Sequence, residues 1–489
     1  MYDGTTQHSN LVDRITRGLD LDYPLIKFST DQQDWWTIRD AVRGTQIFGG
    51  IGSGKSSGSG KTIAKSFLKN GFGGLVLCAK PDERIAWEEY AAATGRSDDL
   101  IIFSKGSEYE FNPLEYELTR VGEGAGEIFN LVNLFTEIYK MGNRFSGGSG
   151  GGESERFWES ALRRCIARAI QLLKLARYEV SISNMIELLS SAPLENEVLA
   201  LTEMTDEEFL ETTRKSFCLS AIFEAGQQDF DEQQEQEYKL VNDYFMRQFA
   251  TLPDKTRPTI LESFLGLAEP FTSGILKQHF AGSTNIRPEM THEGKIIILD
   301  FPVKEFLASG VYAQGIFKLL WQQATERRDV KQQPTPVFLW VDEAQLFLSE
   351  YDQIFQTTAR SSRACTVFLS QNLSNYYVAI GGRNPRPKAD SLLGNLSTKI
   401  YHANNDTVTN VWAADTIGKA FMNVSGISVG KNHSSSINQQ LHYQVEPKAF
   451  TTLKSGGVKN EYQVESIVTV AGREWSDTNN YRKVIFKQK

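Results

Sequence analysis

The stretch Gly49-Gly50-Ile51-Gly52-Ser53-Gly54-Lys55-Ser56 limits what this chain can fold into more than any other part of it. The β-prone run Thr45–Phe48 precedes it and residues 63–69 carry helical periodicity behind it, so the glycine-rich loop joins a strand to a helix. In that setting glycines permit left-handed backbone angles and bring N–H groups close around a phosphate, while the helix N-terminus adds partial positive charge. Gly49, Gly50, Ile51, Gly52, Ser53, Gly54, Lys55, Ser56 and Ser57 are therefore the candidate phosphate cradle. Lys55 is directed at the β- and γ-phosphate oxygens and Ser56 at Mg2+, which makes ATP with Mg2+ the expected ligand. The overlapping Gly60-Lys61-Thr62 has Lys55 where its own leading glycine belongs, so Lys61 reads as a helix-surface residue. Gly58 and Gly60 would each cost a helix about 1 kcal/mol relative to alanine. That cost predicts close packing of the first turn against a neighbour.

A triphosphate hydrolase also needs a carboxylate for the metal and a group that orients water. The buried-looking strand Val337–Val341 ends in Asp342-Glu343, with Asp342 the expected magnesium partner and Glu343 the water-polarising residue. The plainer alternative has Asp342 capping a helix that begins near residue 344. Residues 366–369 form another strand, followed by Ser370-Gln371-Asn372, which puts Gln371 at the carboxyl edge of the sheet as a γ-phosphate sensor or a simple turn residue. Arg360 and Arg363 are spaced to share one helix face, as an arginine finger toward a neighbouring subunit or as surface arginines. The basic loop at residues 382–388 offers Arg383, Arg386 and Lys388 as sequence-independent DNA contacts, against the reading of a solvated loop. Trp35-Trp36 stacks on an adenine or packs at a sheet edge.

Strand signals at residues 45–48, 75–78 and 101–103 return at 296–301, 337–341, 366–369 and 399–401, and the stretch between is helical. The expected fold is α/β, a nucleotide-binding domain with a parallel-rich sheet and an all-α insertion. Its parts are an N-terminal segment at 1–44, the first part of the nucleotide-binding domain at 45–115, the insertion at 116–285, the second part at 286–422, and closing strands and a tail at 423–489. Single helices are read at 195–213 and 235–250, and the glycine run at 145–152 as a flexible loop. The acidic runs at 205–208 and 229–237 read as solvated helix faces or a docking surface. A net charge of −8 argues against a surface that coats nucleic acid throughout, while leaving room for a local basic site. Four scattered cysteines suggest neither disulfides nor zinc, and no apolar run or leader-like N-terminus is evident, so the expected compartment is the cytoplasm.

Taken together, residues 49–62, the run from Leu75 to Glu83 that includes Lys80 and Asp82, Asn112-Pro113-Leu114, Phe157-Trp158, Ile298-Leu299-Asp300-Phe301-Pro302, residues 337–344 and Ser370-Gln371-Asn372 resemble the type IV secretion coupling proteins. These are the conjugative DNA-transfer ATPases within the FtsK/HerA class of DNA translocases. The resemblance implies a RecA-like P-loop domain, a homo-hexameric ring that pumps DNA, and a helical domain that receives cargo or partners. It assigns Lys55 and Ser56 to phosphate and magnesium, Asp342 and Glu343 to the second motif, Gln371 to the sensor position and Arg360 or Arg363 to the arginine region. Coupling proteins usually begin with transmembrane helices, and this chain shows none, which points to a partner such as a relaxase, a nuclease or a secretion or defence module, without membrane insertion of its own. A nucleotide-controlled assembly switch is the alternative from another class. A small-molecule kinase is disfavoured because Glu343 beside Asp342 suits water activation.

Overall fold

The computed structural model describes residues 20–29, 34–145, 153–381, 384–428 and 434–489. The strands in chain order are β1 (Pro24–Lys27), β2 (Trp35–Thr37), β3 (Thr45–Phe48), β4 (Gly73–Leu77), β5 (Leu100–Ser104), β6 (Ile296–Asp300), β7 (Val337–Val341), β8 (Ala364–Ser370), β9 (Thr398–Tyr401), β10 (Lys419–Ser428), β11 (Ser434–Tyr443), β12 (Gln463–Val470) and β13 (Tyr481–Lys487). The chain divides into two compact units. One holds Met1–Phe103, Pro288–Glu305 and Lys318–Lys489; the other holds Ser104–Arg287 and Phe306–Phe317.

The first unit is built on a sheet whose order, among the described residues, is β13-β12-β9-β3-β8-β7-β4-β6-β5. Strands β9 through β6 pair in parallel, and β12 runs antiparallel to both β9 and β13. Parallel strands are covered on both faces and so read as continuous apolar runs. All five residues of β7, Val-Phe-Leu-Trp-Val, are buried, as are those of β4. One face is filled by a chain of rings: Trp36 stacks on Phe67, Phe67 on Phe338, and Phe338 on Trp87, with centroids 6.0, 5.7 and 5.3 Å apart. Gly74 makes room for this stack, because a Cβ there would lie 2.5 Å from the Phe338 ring.

Trp36 is fully buried and its indole donates to Thr398 Oγ1 at 3.1 Å, so it belongs to the core and not to an adenine pocket. β10 and β11 form a separate antiparallel pair, from Lys419 opposite Tyr443 to Ser428 opposite Ser434. Among the described residues no helix is long and apolar enough to cross a membrane.

After β7 the chain is pinned by a buried ion pair. Lys318 Nζ donates to both Asp352 carboxylate oxygens, at 2.8 and 2.7 Å, and to Phe347 O at 2.6 Å. Gln322 Nε2 and the Ser349 amide complete the shell around Asp352.

The second unit is helical. The stretch read as one helix over 195–213 is two, Glu195–Leu201 and Asp206–Lys215. Thr205 starts the second one: its hydroxyl accepts from the Glu208 amide while the Glu208 carboxylate takes the Thr205 amide, a reciprocal cap. The acidic run there complements the positive helix N-terminus. The helix read over 235–250 begins at Glu232, capped by Asp231, and ends at Asp243, where the π-helical turn Tyr244–Phe249 takes over. The glycine run read as a loop lies, at 146–152, outside the described residues.

Lys318→Met would leave the Asp352 carboxylate buried without its cation, a loss expected to cost about 3–5 kcal/mol. Urea unfolding measures this, and a change below about 1 kcal/mol would mean that the pair contributes little to the fold.

Candidate nucleotide site

β3 ends at Phe48 and the loop that follows is strapped to two neighbouring strands. Gly49 N donates to Ser370 O at 3.2 Å at the end of β8, and Gly50 N to Ala403 O at 2.9 Å beyond β9. Gly52 and Gly54 adopt φ +70° and +83°, the left-handed region that glycine permits. At Gly54 a Cβ would also lie 2.7 Å from the Val464 side chain. Ile51 projects into solvent at the tip, whereas Ser53 and Lys55 are buried. Ser53 Oγ is buried without a hydrogen-bond partner among the described residues, as a group reserved for a ligand would be.

The turn after Lys55 is a π-helix, Ser56–Gly60, closed by Gly60 N donating to Lys55 O at 2.9 Å. A Cβ on Gly58 would meet Val464 at 3.1 Å, and one on Gly60 would meet Lys55 O at 3.0 Å and Trp340 at 3.4 Å. The two glycines are thus explained by close packing, as their helix cost predicted. Ser57 Oγ accepts from Gln488 Nε2 at 2.7 Å. Lys61 opens the helix Lys61–Lys69 and is partly exposed.

β8 lies between β3 and β7 in the sheet, and all three run parallel, so their carboxyl ends open on one edge. There Ser56 Oγ donates to Asp342 Oδ2 at 2.7 Å. Asp342 Oδ1 accepts the Glu343 amide at 2.9 Å, across a tight turn that puts Glu343 at φ +50°, ψ +49°. A left-handed glutamate costs on the order of 1–2 kcal/mol, strain of the kind that functional sites retain. The helix expected near residue 344 is only the short 3-10 turn Ala344–Leu346, with Glu343 at its cap position.

Three donors converge on the Glu343 carboxylate. Gln345 Nε2 lies 2.8 Å away, Gln371 Nε2 3.2 Å and Lys80 Nζ 3.1 Å. Burial pushes the Glu343 pKa upward, but the amides of Gln345 and Gln371 and the charges of Lys55 and Lys80 outweigh it and hold the carboxyl below its usual range. The Lys80 pKa, by contrast, is raised, since Asp342 and Glu343 more than offset its burial.

Lys80 and Gln345 are the residues that sequence reasoning did not assign to the site. Lys80 stands three residues past β4, the other neighbour of β7, and that strand order is the signal that would have found it. Gln345 is oriented by Ser370 Oγ, which donates to its Oε1 at 2.8 Å.

The remaining predicted residues lie elsewhere. Arg360 and Arg363 do not share a helix face: the helix Glu350–Thr358 has ended, and both fall in the turn before β8. Arg363 takes φ +50° there and donates to Pro334 O at 2.8 Å. This is the amino end of β8, about 20 Å of strand from the edge that carries Ser56 and Glu343. Arg386 and Lys388 sit in the helix Pro385–Asn395 and not in a loop, because Pro385 suits a first helical position. Arg386 pairs with Asp390 at 3.9 Å and Lys388 with Glu350 at 3.2 Å. Arg383 lies outside the described residues.

His402, just past β9, holds the back of the loop. Its Nδ1 donates to Glu465 O at 3.1 Å, so Nε2 accepts the Ser59 hydroxyl at 2.7 Å and the ring is neutral. Burial, helped by the Lys55 charge, pushes its pKa down to about 4.

No protein-family model matches this chain, and no curated protein matches it in sequence. Solved structures do. The chain is similar to the bacterial conjugative coupling protein TrwBdeltaN70 in an unbound form, with 12% identity, a TM-score of 0.56, and coverage of 98% of this chain and 92% of that one. It is similar to plasmid coupling protein TrwB in complex with ADP and Mg2+, at 13% identity and a TM-score of 0.54, covering 95% and 89%. The same protein with a non-hydrolysable ATP analogue matches at 13% identity and a TM-score of 0.55, covering 95% and 90%. At these identities the likeness is one of fold: a RecA-like P-loop α/β architecture, as the sequence motifs implied.

A folded-state pKa near 4 against an unfolded value near 6.5 means that the unfolded chain binds the proton first as pH falls. Stability carried by neutral His402 is therefore full above the unfolded value and lost on acidification. His402→Gln, which keeps an acceptor for Ser59, should remove about 1.5 kcal/mol of the destabilisation that urea unfolding measures between about pH 6.5 and 5. Identical pH profiles for the two proteins would contradict the buried neutral ring.

Proposed function

We propose that this chain is a Mg2+-dependent ATPase that works as a DNA-translocating motor of the coupling-protein type. In this reading it acts as a homo-oligomeric ring, with the helical unit docking cargo or partner proteins. The observation that carries the ATPase reading is the convergence of Ser56 on Asp342 and of Gln371 on Glu343 at one edge of the parallel sheet. The donor set fits Mg2+: a hydroxyl and a carboxylate already face each other at 2.7 Å, and hard oxygen ligands are what that ion takes. When bound, the ion would neutralise charge on the β- and γ-phosphate oxygens.

The residues divide the work. The loop from Gly49 to Ser57 would wrap the phosphates, Lys55 would place its ammonium on the β/γ oxygens, and Ser56 with Asp342 would hold the metal. Glu343, kept ionised by its surroundings, accepts a hydrogen bond from the attacking water and takes its proton as the water oxygen bonds to the γ-phosphorus and the bond from that phosphorus to the β–γ bridging oxygen breaks, leaving ADP and phosphate. Gln371 bridges that carboxylate to the γ-phosphate position. Arg360 or Arg363, too far from their own site, act in trans on a neighbour's nucleotide. TrwB, solved with ADP and Mg2+ and with an ATP analogue, supports the assignment of ligand, and the shared fold supports the motor class.

One observation favours the second reading, a nucleotide-controlled assembly switch. The carboxylate partners of Arg386 and Lys388 engage two of the three cations proposed for DNA. Turnover with and without DNA separates the two: the motor reading expects DNA to accelerate ATP hydrolysis, and rates indifferent to every DNA form would favour the switch. Lys55→Ala should lose ATP binding, whereas Glu343→Gln should keep it while kcat falls on the order of a hundred-fold or more. A Glu343→Gln protein with normal turnover would remove Glu343 from its role.

A further inference from the structure

Beyond the nucleotide site, the first unit carries a cleft of about 410 Å³ lined by Lys61, Lys65, Lys69, Lys487 and Lys489. The first three recur every four residues along the helix Lys61–Lys69 and so form a stripe on one face, rising about 6 Å per step. Lys487 and Lys489 come from the end of β13 and the residues after it.

Like charges at this spacing repel. Lys65 is held below the usual lysine range by burial, then by Lys61 and Lys69, with Glu89 opposing only in part. Lys61 Nζ donates to Gln488 O at 2.8 Å, and the Lys489 ammonium lies 4.0 Å from the Tyr462 ring centroid. Lys69 and Lys487 are exposed. Five lysines lining one cleft, in a chain of net charge −8, concentrate positive charge locally.

The lining narrows the ligand. Among the described residues that form it there are lysines, hydroxyls and an amide, but no aromatic ring on which a base would stack. Leu25 and Ile26 form a wall, Ile26 is buried, and the rim presents ammonium groups instead of an apolar side chain that would enter a bilayer. A linear stripe of point charges suits a repeating phosphate chain.

We propose that this lysine cleft binds the sugar–phosphate backbone of nucleic acid without regard to sequence, a site that rests on the nucleic-acid reading above and supplies it with cations that Arg386 and Lys388 do not.

The test uses the full chain and a fluorescein-labelled DNA, single-stranded and duplex, titrated over a range of salt. The triple variant Lys65→Gln, Lys69→Gln, Lys487→Gln should lose affinity on the order of a hundred-fold near physiological salt, with the slope of log affinity against log salt flatter by about 2–3. Arginine at the same three positions should restore both. ATP binding should be unchanged in each variant, which also confirms that they fold. An unaltered slope and affinity in the glutamine variant overturn the site. So does a glutamine variant that binds DNA normally but loses binding to phosphatidylglycerol vesicles, since the cleft would then serve a membrane. The two readings fail separately. If DNA does not stimulate hydrolysis yet the lysines still govern DNA affinity, the motor falls and the cleft stands; if stimulation persists and the glutamine variant binds as the parent does, the reverse holds.

Discussion

The structure depends on one topological constraint: β8 is inserted between β3 and β7, and all three run parallel. Because of that order the glycine-rich loop leaves one strand, Gln371 leaves the next and Asp342-Glu343 the third, all at a common edge. Neighbouring strands are about 4.8 Å apart, so the outer two of the three are about 10 Å apart. Ser56, which opens the turn beyond the loop, spans that gap to reach Asp342. The antiparallel strands on the far side also contribute, since Val464 of β12 presses on the loop at Gly54 and on the following turn at Gly58. The turn is thereby clamped between the sheet's parallel core and its antiparallel margin.

Around Glu343 the same edge sets the electrostatics. Burial by itself would favour the neutral carboxyl, and the amides of Gln345 and Gln371 with the ammonium groups of Lys55 and Lys80 reverse that preference. In the proposed hydrolysis, a carboxylate that is ionised but partly desolvated is suited to accept a proton from water. The left-handed backbone at Glu343 is the conformational cost of turning this carboxylate away from Asp342, and the ion pair of Lys318 with Asp352 anchors the segment that bears the strain.

Much of this was legible in the sequence because it is written in local chemistry. The glycines of the loop, the five-residue apolar run before Asp342 and the strand before Gln371 each declare their own conformation. What was not legible depends on contacts between distant segments. Lys80 is an ordinary lysine until β4 is known to lie beside β7. The arginines at 360 and 363 have helical spacing, yet the helix stops at Thr358 and Arg363 turns to meet the Pro334 carbonyl. The residues Pro385 to Lys388 carry the composition of a loop, and the helix they begin is stabilised from Asp390 and Glu350. β11 is mostly polar, with Ile437 and Leu441 four residues apart, so the alternation that marks a half-buried strand is missing from it.

The central claim is that Ser56 and Asp342 are brought together to hold Mg2+ on a bound nucleotide. Calorimetric titration with a non-hydrolysable ATP analogue, with Mg2+ and with chelator, in the parent chain and in Asp342→Asn, tests it most directly. The account predicts tighter binding with Mg2+ in the parent and little or no such gain in the variant. An equal gain from Mg2+ in both proteins would contradict it.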